Sequence, residues 1–226
     1  RRRSRDPLPQ IPDLSGTVTD HLRHAGLDPA TQDRALRKII AQSPPLMGWL
    51  HALRDMDLPD GWIVSGAIYN QVWNHLSERP LLHGIKDIDL FYFDPDTSHE
   101  AEDRAICRVT AHFPPTPPVE LRNQARVHLW YPERFGQPYP QLTRACEAID
   151  LFASRTHCVG ARLAGERLDI YAPYGLDDLF SFRLTPNTIL NNRATHHAKA
   201  ERQMALWPEL SLVPWPTEDA LHSGQH

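Results

Sequence analysis

The passage from Trp62 to Leu76 constrains this chain more than any other part of it. Trp62-Ile63-Val64 is a short β-branched run bounded by glycine on both sides, which reads as a buried strand. Ser65-Gly66-Ala67 ends it, and Ala67 or Ile68, Val72 and Leu76 then fall within helical reach of one another. The order is strand, tight glycine turn, helix. After a polar loop over 77–84, Ile85-Lys86-Asp87-Ile88-Asp89-Leu90-Phe91-Tyr92-Phe93 has the apolar and aromatic content of a central strand, closed by Asp94-Pro95-Asp96. The pattern predicts a helix over 98–113, with Ala105, Ile106 and Val109 as its buried stripe, a rigid connector over 114–118, and a strand over 119–130. A helix over 142–152 follows, then a hairpin of 158–163 with 168–171 around Ala164-Gly165. Pro173-Tyr174-Gly175 opens a short helix over 176–182, and 189–206 reads as a longer one. Strands alternating with helices place the chain in the α+β, or mixed α/β, class, with a small mixed sheet flanked by helices.

Ahead of this region, Asp28-Pro29 is a cap and first-turn pair for a helix carrying Ala35, Leu36, Ile39 and Ile40. Ser43-Pro44-Pro45 stops that helix and caps a second, in which Leu46, Trp49, Leu50 and Leu53 share a face. These form an N-terminal helical layer. The expected organisation is a disordered or extended leader over 1–16, the helical layer over 17–58, the main domain over 59–216 and a flexible tail over 217–226. The opening Arg1-Arg2-Arg3-Ser4-Arg5 run reads as a solvated tail, and a start without Met as the inside of a longer or processed product.

Composition narrows the function classes. Hydrophobic residues make up 41% and charged residues 23%, the balance of a globular protein and not of a disordered chain. No apolar run approaches the roughly 18 residues of a membrane span, and no secretory leader is legible, so a cytoplasmic protein without a membrane partner is expected. Cys107, Cys146 and Cys158 are odd in number and lack zinc-site spacing, which reads as reduced thiols. With 24 Lys+Arg against 28 Asp+Glu the net charge is −4, so there is no strong signal for duplex DNA.

The chemistry begins at Asp87 and Asp89. Alternate residues of a strand project from one face about 6.5 to 7 Å apart, near enough for both carboxylates to bend onto one divalent ion. Two like charges on a central strand need a cation, a basic partner or open water. The plain alternative is an edge strand whose aspartates face solvent or pair with Arg122 and Arg126. Gly66, where a strand gives way to a helix, offers free backbone N–H groups to a phosphate, or is an ordinary turn glycine. Glu120, near the start of the next strand, supplies a third carboxylate, or an ion pair with Arg122 or Arg144. Three carboxylates on two adjacent strands beside a glycine-opened helix are the minimum for two Mg²⁺ ions and a triphosphate.

Four blocks carry a resemblance: Gly66-Ala67-Ile68-Tyr69-Asn70-Gln71-Val72-Trp73-Asn74, Asp87-Ile88-Asp89-Leu90-Phe91-Tyr92-Phe93-Asp94, Asn123-Gln124-Ala125-Arg126-Val127-His128-Leu129-Trp130 and Ala172-Pro173-Tyr174-Gly175-Leu176-Asp177-Asp178-Leu179-Phe180. In this order, over roughly 46–216, the chain resembles a largely uncharacterised bacterial nucleotidyltransferase-like family within the superfamily that shares the DNA polymerase beta palm. The resemblance implies a palm-like mixed sheet, Mg²⁺ or Mn²⁺ on Asp87, Asp89 and Glu120, and an NTP cleft involving Ser65, Gly66, Ala67, Asn70, Arg126 and Lys199. Asp87 and Asp89 would touch both ions, and Glu120 only the ion at the attacking hydroxyl. The family pattern usually follows its glycine with Gly or Ser where this chain has Ala67. It often has Arg at the Tyr69 position, and Arg-Pro-Asn where Thr185-Pro186-Asn187 stands, so two cations are missing and Arg126, Lys199 or Arg202 would have to replace them.

The implied activity is metal-dependent transfer of a nucleoside monophosphate from an NTP to an unidentified acceptor on a small molecule, an RNA end or a protein side chain, with release of pyrophosphate. An inert nucleotide- or partner-binding module and a metal-dependent phosphoesterase are the alternatives. Other polar features stay secondary. Asn123, Gln124, Arg126 and His128 suit either substrate recognition or bracing of the sheet. His196-His197 reads as a solvated pair, and Asp169 as a substitute third carboxylate. Asp177 and Asp178 are accounted for by a helix dipole, and Trp73, Trp130 and Trp207 by the core.

Overall fold

The computed structural model describes residues 20–217. The leader over 1–16 and the tail beyond 217 lie outside the described residues. Two helices open the fold, α1 (Pro29–Ala41) and α2 (Pro44–Asp55), each begun by the cap its sequence announces. The Asp28 carboxylate accepts from the Thr31 N–H at 3.0 Å, and the Ser43 hydroxyl accepts from the Leu46 N–H at 3.4 Å.

The sheet and its helices follow in the order β1 (Trp62–Val64), α3 (Gly66–Leu76), β2 (Ile88–Tyr92), α4 (His99–His112), β3 (Val119–Asn123), α5 (Val127–Phe135), β4 (Gly160–Ala164), β5 (Arg167–Tyr171), α6 (Asp177–Phe180), β6 (Arg183–Leu184), α7 (Arg193–Leu206) and β7 (Ser211–Leu212). Five strands form one mixed sheet in the order β3-β2-β1-β4-β5, in which β2 and β3 run parallel and the other neighbours antiparallel. β6 and β7 form a separate two-stranded parallel pair, which the sequence pattern does not predict. The expected α+β class and small mixed sheet are what the chain forms.

Strand alternation sorts the two faces. Ile63, Ile88, Leu90, Tyr92 and Leu121 enter a core shared with α1, α2 and α3. Trp62 and Val64 turn to the other face, where Ile149 and Cys146 of a 3-10 segment, Ala145–Leu151, cover them. Asp89 sits on that second face, between Ile88 and Leu90 of the first, so the covering segment leaves one side of the sheet open beside it. Trp73 and Trp207 are fully buried, as expected of core residues.

Three predicted elements differ from those observed. The strand over 119–130 stops at Asn123 and becomes α5, because the Asn123 side chain takes over the local hydrogen bonding. Its Oδ1 accepts from the Asp94 and Ala125 N–H groups, each at 3.1 Å, and its Nδ2 donates to the Asp94 carbonyl at 2.9 Å. The helix over 142–152 is a 3-10 segment, entered where Glu147 accepts from the backbone N–H groups of Thr143 at 2.7 Å and Arg144 at 3.2 Å. The strand over 85–93 is shorter than predicted, with Asp87 in its lead-in and Asp89 within it. No helix among the described residues is long and apolar enough to cross a membrane, and all three cysteines are free.

Candidate active site

The β1–α3 connection is the most constrained backbone near the open face. Ser65 adopts φ 58°, ψ −121°, a conformation rarely taken by an L-residue. It is held there by its N–H, which donates to the Val159 carbonyl at 2.9 Å, and by its own carbonyl, which accepts from Ile68 and Tyr69. The turn leads directly into α3, whose first N–H groups have no carbonyl of their own helix to bond, and Ser65 and Gly66 at this start line a polar pocket. Gly66 has no positive φ, and a Cβ there would meet nothing nearer than the Asn70 and Tyr69 side chains at 3.6 Å. The protein itself has room for a side chain at Gly66; leaving it out keeps that space for something else to approach the helix start.

Facing this turn is a polar pocket of about 200 Å³ that includes Gly66, Asn70, Asp87, Asp89, Lys199 and Arg202. Asp89 pairs in register with Val64 on one side and Glu120 on the other. Burial, then the neighbouring Asp87 and Glu120 charges, push the Asp89 carboxyl up to about 6, against the pull of Lys199 and Arg122. Burial likewise lowers Lys199 below the ordinary lysine value, against the pull of Asp89. Neither cation closes a salt bridge with Asp87 or Asp89 among the described residues. Asp87 and Asp89 thus line one pocket with Lys86, Lys199 and Arg202 without forming an ion pair with any of them, and a carboxylate pair left unpaired in a partly buried setting favours a bound cation. Their all-oxygen donor set suits Mg²⁺ or Mn²⁺.

Glu120 is less prepared. Among the described residues no three His, Cys, Asp or Glu side chains form a ready metal-holding group. The Glu120 carboxylate lies 3.6 Å from Arg122, both side chains about half exposed at 53% and 49%. This is the ion pair the sequence offered as the alternative for Glu120; Arg144 pairs with Glu147 instead. An exposed pair of this kind contributes about 0–1 kcal/mol, so releasing Glu120 toward Asp89 is inexpensive.

Arg126 does not reach the pocket. It is buried, with one guanidinium nitrogen on Glu102 and the other 2.9 Å from the His99 ring. The cations that do flank the aspartates are Lys199 and Arg202, with Lys86 at the rim. Replacing Glu102 by Gln is expected to lower the unfolding free energy by about 2 kcal/mol by weakening this charge-assisted bond. An unchanged urea midpoint would return Arg126 to the free cations.

Tyr69 is committed to bracing. Its hydroxyl accepts from Gln203 Nε2 at 2.9 Å, Gln203 Oε1 lies 2.9 Å from His157 Nε2, and the Tyr69 and His157 rings stack at 4.6 Å. This chain ties α7, the element carrying Lys199, to α3. Burial pushes the Tyr69 hydroxyl up to about 12 and holds His157 neutral, well below the ordinary histidine value.

Other expectations move. Asn123 braces the sheet, and Asp169 sits on β5, away from β2, clamped by Arg162 and Arg167. Asp177 accepts from the Gly26 N–H at 2.7 Å and from Gln32 at 3.0 Å, tying α6 to the N-terminal layer beyond any dipole contact. His196 is fully buried and bonded to the Ser154 hydroxyl at 2.6 Å, so it is no solvated residue. Trp130 is not core: it lines a second cavity, of about 380 Å³, walled by aromatic side chains. That cavity shares Ser65, Asp89 and Lys199 with the polar pocket, and has Glu120 as its own carboxylate. Sequence reading missed it because its walls come from β2, α5 and the segments around 139, 152 and 190; the aromatic run from Trp130 to Phe135 was the available signal.

Residues 51–212 match a family model described as Nucleotidyltransferase. A solved structure, described as an NMR structure revealing a CCA-adding enzyme head domain, is 26% identical, with a TM-score of 0.65 over 80% of this chain and 96% of that one. No curated protein matches the chain.

Proposed function

The chain belongs to this nucleotidyltransferase family, and on that premise we propose that it moves a nucleoside monophosphate from an NTP to an acceptor hydroxyl with release of pyrophosphate. The observation that carries the reading is the pair Asp87 and Asp89, held in no ion pair among the described residues, in one pocket with the vacant side-chain space of Gly66 and the cations Lys199 and Arg202. Asp87 and Asp89, with Glu120 once it leaves Arg122, would hold Mg²⁺ or Mn²⁺. When bound, the ion neutralises charge on the phosphates and lowers the barrier to loss of the acceptor proton.

The protein's own share is positioning. The first N–H groups of α3, at Gly66 and Ala67, together with Lys199 and Arg202, receive the phosphates that leave as pyrophosphate. The acceptor oxygen forms a bond to the α-phosphorus, and the bond from that phosphorus to the oxygen bridging to the β-phosphorus breaks. The leaving pyrophosphate keeps that electron pair, and the acceptor proton passes to Glu120 or to water. Ser65 and Asn70 shape the turn and its floor. Lys199 and Arg202 take the place of the cations absent at Tyr69 and Thr185, and a cytoplasmic setting fits the three free cysteines.

The test is pyrophosphate release from each NTP with Mg²⁺ and a broad set of acceptors, including RNA 3′ ends, which the likeness to a CCA-adding head domain makes worth including. Activity is expected to vanish with a chelator and return with Mg²⁺ or Mn²⁺. Lys199→Gln is expected to raise the KM for the NTP about tenfold. The pairing of Glu120 with Arg122 favours one rival, an inert nucleotide-binding module, which would show NTP binding without turnover. Hydrolysis of a phosphate ester that needs no NTP and survives Asp87→Asn would instead identify a phosphoesterase.

A further inference from the structure

The two cavities divide the three carboxylates. Asp87 lines only the polar pocket, Glu120 only the aromatic cavity, and Asp89 both. Phosphoryl transfer needs the attacking and leaving oxygens roughly in line across the phosphorus. If pyrophosphate leaves into the polar pocket that holds Arg202, the attacking hydroxyl enters from the other cavity that Asp89 lines, the aromatic one, where Glu120 stands. The inference therefore rests on the function proposed above and names its unassigned substrate.

The cavity is built for an apolar body. Phe91 and Phe152 pack at 5.7 Å on the sheet side, while Tyr131 meets Tyr139 at 4.6 Å and Phe135 at 4.5 Å on the far wall. That wall is braced, the Tyr131 hydroxyl donating to Asn192 Oδ1 at 3.1 Å. Its charges lie at the junction, where Glu120 pairs with Arg122 at 3.6 Å and where Asp89 and Lys199 are shared with the polar pocket. At the outer edge of this wall Phe135 is 48% exposed, Leu129 on the same helix is 58% exposed, and Arg134 lies over the Trp130 and Phe135 rings at 6.0 and 5.4 Å. An RNA end brings a phosphate for every nucleotide and calls for a track of free cations. A volume of about 380 Å³ suits one small molecule.

We infer that the acceptor is a free small molecule whose hydroxyl is carried on an apolar ring system, seated in the aromatic cavity with that hydroxyl toward Glu120. Two probes serve, 2-phenylethanol and 4-(2-hydroxyethyl)phenol, with an RNA oligonucleotide and a mixed protein fraction as competing acceptors. Binding is followed without NTP through the indole N–H resonance of Trp130, assigned by its loss in Trp130→Phe. Transfer is followed as MgATP-dependent pyrophosphate release.

Both alcohols are expected to shift the Trp130 resonance saturably and to stimulate release. Tyr139→Ala and, at the exposed rim, Phe135→Ala are expected to raise the KM for the alcohol about tenfold while leaving the KM for ATP within about twofold. Transfer to RNA or protein in preference to the alcohols would overturn the inference and leave the nucleotidyltransferase reading intact. So would an equal rise in the KM for ATP, which would put the nucleoside in this cavity. Alcohol binding with no pyrophosphate release from any acceptor would overturn both the acceptor role and the reading beneath it.

Discussion

Asp89→Asn is expected to abolish nucleotidyl transfer while making the metal-free protein more stable at neutral pH. The loss of activity follows from its place at the junction of the two cavities, where it is the only carboxylate common to both. Removing it takes away both the shared ion ligand and the counter-charge to Lys199, and the fall in kcat is expected to exceed about 10³-fold. The gain in stability follows from the weakened acidity of this carboxyl in the fold. In the fold the Asp89 carboxyl is pushed up to about 6 from an ordinary 3.8, so the folded state holds its proton more tightly than the unfolded chain. The contribution of this one group to stability is then greatest below about pH 4 and falls as pH rises through about 6, because the unfolded chain releases the proton first. At pH 7 the wild-type protein carries the whole penalty, and Asn, which never ionises, does not. Thermal unfolding with chelator present is expected to give a midpoint a few degrees higher for the variant at pH 7, about 2 to 6 °C, and nearly equal midpoints at pH 4. A variant that is inactive and less stable at pH 7 would make Asp89 a structural residue and remove the basis for a cation site.

Gly84→Ala is expected to be the most destabilising glycine-to-alanine change among the described residues. Gly84 sits at φ +72°, and a Cβ there would lie 2.2 Å from Cη2 of Trp207. That ring has nowhere to go: it is fully buried, its Nε1 donates to Asn74 Oδ1 at 3.0 Å, and Trp73 packs on it at 5.3 Å. Left-handed backbone and overpacking against a rigid ring add, and the expected loss is about 3 kcal/mol or more. The Gly84 carbonyl also accepts from Asn70 Nδ2 at 3.4 Å, so the polar pocket should loosen together with the core. Gly160 provides the contrast, since an added Cβ would meet the terminal methyl of Ile149 at 2.6 Å, a side-chain end that can rotate away. Gly160→Ala is therefore expected to lower the urea midpoint less than Gly84→Ala, and the reverse order would show that Trp207 is not fixed.

Much of the fold was legible because it is decided over short stretches of chain. Caps at Asp28 and Ser43 act on the backbone two or three residues ahead. The β1–α3 passage and the hairpin of β4 with β5 depend on neighbours in sequence. The alternation of Asp89 with Ile88 and Leu90 is a property of any strand. The break at Asn123 was not legible, since the hydrogen bonds that cause it come from Asp94 and Asp96, far back along the chain. Arg126 looked like a free cation for the same reason, its partners Glu102 and His99 lying on α4.

The candidate site divides along the same line. The sequence by itself determined the strand–glycine–helix turn, the two aspartates and the family likeness, because each is written in consecutive or alternating residues. Only the tertiary structure decided that Glu120 stands in register with Asp89 but rests on Arg122, that Lys199 and Arg202 are the cations present, and that Trp130 walls a cavity and stays out of the core. Those outcomes depend on which distant segments pack together, and burial and charge balance are set by that packing, not by the order of residues within any one segment.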